Sequence, residues 1–268
     1  HLLKEYTRRY SEMIKLIKYE FIKKYRLIAI TIIASITLNI YLITRSASGG
    51  IAFLSLFPMI MGVLFIVDII KMYSDDLNKK SGYMLFMTPN SGYKIIVSKM
   101  ITAVIEGLAI LLLYFIFIII NGAYMTFQSG VEVNFNDIIY IVNNIISGSF
   151  GFNLAHIFVF MLTVLLFLIS FLTTIYTAMT IRKSIFSETK FGGVLSFVIF
   201  LLLNWGISFV SSKLFNVLDP YYYTFDFSSQ VTASELAHTF LPMNILSIVQ
   251  IILLTLCSGY LLEKKINL

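Results

Sequence analysis

The chain has 268 residues, of which 58% are hydrophobic and 13% charged, with a mean hydropathy of +0.87. Water-soluble domains run near 45–50% apolar and about 25% charged, so most of this chain meets lipid or other buried helices. The formal charge is +6 and the single Cys257 excludes an intrachain disulfide; the thiol lies in an apolar run and reads as inert and buried.

Taken in chain order, residues 1–12 lack a clear pattern, and the expectation is an appended tail with Met13 as the native start. Met13–Arg26 follows, with Ile14, Ile17, Phe21 and Ile28 on one helical stripe flanked by Lys15, Lys18, Glu20, Lys23 and Lys24. A basic amphipathic helix of this kind lies in the membrane surface with its lysines among the head groups. Six stretches then approach or reach the roughly 20 apolar residues that cross a hydrocarbon layer. They are Leu27–Ile43, Ile51–Ile70, Ile101–Ile120, Ala155–Ile175, Phe191–Val210 and Pro242–Leu262. The expected fold class is all-α: a polytopic membrane protein with six transmembrane helices.

Between the third and fourth spans, FNDIIYIVNNII predicts a short surface helix. Between the fifth and sixth, Thr232-Ala233-Ser234-Glu235 fits a capping box. Of the 20 Lys and Arg residues, all but Arg45 and Lys213 fall on one side of the six-span arrangement. Basic residues are retained in the cytoplasm during insertion, so both termini, the second-to-third connection (71–100) and the fourth-to-fifth connection (181–190) are expected there. Glu132, Asp137, Asp219, Asp226 and Glu235 lie on the other side. The positive charge is therefore a signature of topology and gives no reason to expect nucleic acid.

Catalytic signatures are missing. There is no G-x-x-x-x-G-K-[ST] for ATP, no H-E-x-x-H or Cys cluster for a metal, and no G-x-S-x-G; His1, His156 and His238 are scattered. The chain is not expected to be an enzyme.

The stretch Lys71–Met100, KMYSDDLNKKSGYMLFMTPNSGYKIIVSKM, is too polar to span and too patterned for a slack loop. Asp75, Asp76, Lys79 and Lys80 read as a charged short helix, and Tyr83, Leu85 and Phe86 add apolar contacts. Pro89 with Asn90 and Ser91 marks a break and a helix restart. With the basic leading helix, the six spans, "LFMTPNSGYKIIVSK" and the C-terminal "YLLEKKINL", residues 13–268 resemble a single permease domain of the type 2 exporter class of ATP-binding-cassette transporters. The resemblance implies a leading elbow helix at 13–26. It implies a coupling helix in which Asp75, Asp76, Lys79, Lys80, Tyr83, Phe86, Pro89 and Ser91 contact a separate ATPase, and a second contact at Lys183 and Glu188.

The working unit would be two permeases, identical or related, and two ATPases that hold the ATP and Mg²⁺; this chain would bind no cofactor. Such permeases export antimicrobial peptides, lantibiotics or toxin peptides, or confer resistance to them, across the bacterial cytoplasmic membrane. By the same analogy Phe57, Met61, Phe65, Phe197, Asn204 and Trp205 would line a cavity for a hydrophobic or amphipathic substrate. The alternative is a secondary transporter or channel-like protein without an ATPase, which would need paired charges inside the membrane.

Glu106 reads as the one carboxylate well inside a span, and Lys23, Lys24 or Arg26 could reach it. For the topology, cysteines introduced at Lys79 and Gln128 should label from opposite sides of intact cells; labelling of both from outside would contradict the charge rule.

Overall fold

The computed structural model describes residues 2–78, 91–130, 139–140, 143–144, 146–147, 153–186, 191–218 and 233–264. Six long helices carry the architecture: α1 (Leu2–Arg45), α2 (Ala47–Asn78), α3 (Gly92–Ser129), α4 (Leu154–Ile185), α5 (Gly192–Leu218) and α6 (Ala233–Lys264). There is no strand among the described residues. All six helices are long and apolar enough to cross a membrane, so the chain reads as a multi-pass membrane protein.

Each helix extends its apolar span with polar turns. Residues 13–26 are not a separate element: they continue into the first span within the 44 residues of α1, about 66 Å at 1.5 Å per residue. Lys71–Asn78 likewise continues α2, and α3 starts at Gly92. The sequence-predicted residues Lys79, Lys80, Tyr83, Phe86, Pro89 and Glu188, the Thr232 cap and the stretch 219–232 lie outside the described residues.

The chain divides into two compact units, His1–Asn90 with Lys94–Val133, and Ser91–Tyr93 with Asn134–Leu268. The first holds α1, α2 and nearly all of α3. Phe53, Phe57 and Met61 of α2 pack with Phe117 of α3. The Phe117 ring meets Phe53 edge-on at 5.0 Å and Phe57 at 5.1 Å, while Tyr114 stacks on Phe57 and donates its hydroxyl to the Leu54 carbonyl at 3.1 Å. Such ring pairs add about 0.5–1.5 kcal/mol each beyond burial.

In the second unit α4 packs on α6 along a polar seam. Asn244 donates to Thr163 Oγ1 at 3.1 Å, Gln250 to Thr174 Oγ1 at 2.9 Å, and Thr177 to the Leu254 carbonyl at 3.2 Å. Hydrophobic contact gains little between helices already in lipid, so small residues and interhelical hydrogen bonds bind them. Asn153 caps α4, accepting from the backbone of Ala155 and His156. Cys257 is exposed on α6, not buried as its apolar surroundings suggested; the outward face of a spanning helix is itself apolar.

The beginning of α3 docks on the end of α6. The Gly92 amide donates to Glu263 Oε1 at 3.0 Å, placing a carboxylate at a helix N-terminus where free N–H groups and the helix dipole favour it. A Cβ at Gly259 would collide with the Tyr93 ring, whereas one at Gly62 would meet nothing within 4 Å. Gly259→Val should therefore cost about 1–3 kcal/mol by overpacking, seen as a lower unfolding midpoint in detergent, and Gly62→Ala should leave the midpoint unchanged.

Candidate functional site

Among the described residues, seven charged side chains meet where α1, α2 and α3 run side by side in the first unit. On α1, Glu20 and Lys24 are spaced four apart and Lys23 is their neighbour. On α2, Asp68, Met72 and Asp76 recur every four residues, and on α3 Lys99 and Glu106 are seven apart. These spacings put each set on one helix face.

The charges form two tiers. In the outer tier the Lys99 ammonium, 0% exposed, binds Glu20 Oε1 at 2.5 Å and also pairs with Asp76. Lys23 reaches the other oxygen of Asp76 at 2.9 Å. Two anions meet two cations, so this tier is neutral. In the inner tier Lys24 pairs with Asp68 of α2 and with Glu106 of α3, the latter at 2.9 Å. Here one cation meets two anions, a formal charge of minus one.

Ile69, Tyr73, Leu77, Ile95 and Ile96, each within four residues of one of these charges along α2 or α3, are no more than 1% exposed. Lys99 and Glu20 are almost wholly shielded from water, so their ion pair must replace the lost hydration. Breaking a buried pair by removing one partner costs about 3–5 kcal/mol.

Of the three basic residues that sequence proximity offered to Glu106, Lys24 makes the contact. Arg26 turns outward, its Nε on the Tyr25 hydroxyl at 3.0 Å. Glu106 is not the only carboxylate inside a span, as the sequence reading had it: Asp68 shares its cation. The polar side of the leading helix also differs from expectation. Lys15 and Lys18 stay exposed, but Glu20 and Lys24 turn inward, and Ile14 and Ile22 turn outward.

The residues expected to contact an ATPase divide. Asp76 is 3% exposed and committed to Lys99 and Lys23, so its carboxylate is held within the chain. Asp75 and Lys183 are half-buried and Ser91 immediately precedes α3. Of the cavity candidates, Phe57 belongs to the aromatic core, while Met61 and Phe65 line a cavity of about 420 Å³. On α5, Phe197, Asn204 and Trp205 are exposed, with Phe197 stacked on Phe200 and Trp205 on Phe209.

Sequence reasoning missed Asp68, Glu20 and the role of Lys99. The available signal was the helical spacing of charges across three segments, which becomes informative once those segments are known to be adjacent. No group of three or more metal-ligating side chains suited to an ion occurs among the described residues.

No protein-family profile, curated protein or solved structure matches the chain.

The unequal tiers rank two substitutions. Lys24→Met leaves Asp68 and Glu106 facing each other without their cation and should cost about 3–5 kcal/mol. Glu106→Gln leaves Lys24 paired with Asp68 and should cost less than half as much. Unfolding midpoints of the purified proteins in detergent check the order.

Proposed function

We propose that this chain is the membrane-spanning subunit of an ATP-driven exporter in the bacterial cytoplasmic membrane. It works with a second permease, identical or related, and with two ATPase subunits that bind ATP and Mg²⁺, and it moves a hydrophobic or amphipathic substrate, a peptide by preference. Both termini and the connection 79–91 face the cytoplasm.

One observation carries this reading. The ion network joins α1, α2 and α3 close to both ends of that connection: Asp76 lies two residues before the end of α2, and Lys99 lies in the second turn of α3. Three helices linked by buried charges move as one piece, so force applied at 79–91 by a soluble partner passes into the membrane helices. The basic connection itself, with Lys79, Lys80, Tyr83 and Phe86, suits docking on such a partner. Asp76 takes part through the internal network, and Lys79, Lys80, Tyr83 and Phe86, which follow it in the sequence, would make the contacts with the partner.

A second reading has its own observation. Lys24, Asp68 and Glu106 are the paired charges inside the spans that a secondary transporter requires. The two readings separate in one experiment. A tagged copy of the chain, expressed in its native host and extracted in mild detergent, should bring down a nucleotide-binding subunit and Mg-ATPase activity. Lys79→Ala with Tyr83→Ala should release that subunit without loss of membrane insertion. Export that persists after ATP depletion and stops when the ion gradient is collapsed would overturn the exporter reading in favour of the second.

A further inference from the structure

The cavity of about 420 Å³ lies among α1, α2 and α3 within the first unit, inside the usual size range of small-molecule sites. On α3 its lining runs from Glu106 to Ile116, about 15 Å along the helix at 1.5 Å per residue. Apolar side chains such as Ile28, Phe65, Leu64 and Leu113 make up nearly all of it.

Among the described residues, its only charged lining residues are Asp68 and Glu106. Lys24, which pairs with both, is not among the lining residues. The cavity is thus, among the described residues, a long apolar slot lined near one end by two carboxylates and by no cation. The charge balance of the cluster adds to this. Among the described residues the outer tier cancels, and the inner tier, with both acids ionised, holds one more negative than positive charge in a setting where an uncompensated ion is expensive. A single positive group within reach of Asp68 and Glu106, the two acids that border the open space, would balance it.

We propose that this cavity is a binding site for a monocationic amphiphile: an ammonium head placed against Asp68 and Glu106, and an apolar tail laid along α3. The site lies within one copy of the chain, and its occupation does not depend on whether an ATPase drives transport. The ammonium supplies the missing charge, and the tail fills space bordered by Ile28, Phe65 and Leu113. No bond is made or broken.

The test uses the full chain in phosphatidylcholine nanodiscs, with empty discs subtracted. Radiolabelled dodecyltrimethylammonium and dodecyl sulfate carry the same tail and opposite charges. The ammonium should bind saturably and at least tenfold more tightly than the sulfate. Asp68→Asn, which leaves Lys24 and Glu106 as a neutral pair, should weaken ammonium binding at least tenfold. Ala109→Trp keeps every charge and fills the slot, and it should abolish binding even if the Asp68 variant proves too unstable to assay. Equal binding of the two amphiphiles, no saturable binding of either, or unchanged ammonium affinity in Ala109→Trp would overturn the proposal. In the second case a proton on Asp68 or Glu106 supplies the balance. No ATPase is present, so the outcome stands apart from the exporter reading.

Discussion

The first unit depends on one ammonium group. Lys99 is fully buried on α3 and is held between Glu20 of α1 and Asp76 of α2. A lysine is rarely placed in such surroundings unless paired, and here each of the two neighbouring helices supplies one carboxylate. The contact also sets the register of three helices, because a slide of one turn, about 5.4 Å, would leave the buried Lys99 and Glu20 without each other. The paired spacing then carries the inner tier with it: Lys24 lies one turn beyond Glu20, Asp68 two turns from Asp76, and Glu106 two turns beyond Lys99. The aromatic packing of Phe53, Phe57 and Phe117 lies further along the same helices and is consistent with that register.

The two units are held by different physics. In the first, buried ions give a strong and directional bond that fails badly when one member is lost. In the second, α4 and α6 meet through threonines, an asparagine and a glutamine. Hydrogen bonds of this type between membrane helices contribute about 0.6–2 kcal/mol each, and the loss of one is tolerable. Many of the hydroxyls that stud these helices also bond to a carbonyl one turn back, as Thr174 does to Ser170 and Thr180 to Tyr176. A hydroxyl satisfied by its own helix can stay in an apolar setting without demanding a partner. This explains how α4 buries so many threonines while remaining a spanning helix.

The six helices were legible in the sequence because crossing lipid imposes a length and a composition on each segment separately. Every predicted span falls within a helix, or within one residue of it at Phe191. Their ends were not legible: hydropathy registers where the apolar run stops, whereas α1, α2 and α3 remain helical through polar turns whose inward charges pair with neighbouring helices. The leading segment shows the consequence. Its stripe of Ile14, Ile17 and Phe21 suggested an apolar face turned to the membrane and lysines turned away. Glu20 and Lys24 instead face inward, since carboxylates and ammonium groups on α2 and α3 wait there.

The sequence by itself determined that this chain reads as a membrane protein, that it offers six apolar helices, and that its basic residues gather at one end of the six-span arrangement. These follow from transfer free energies that act residue by residue. Only the tertiary structure decided that Lys24 serves both Asp68 and Glu106, that Asp76 is turned inward to Lys99, and that an apolar cavity ends on two carboxylates. Those are properties of pairs more than 20 residues apart. A pair's energy depends on the distance between helices, which no single helical segment specifies.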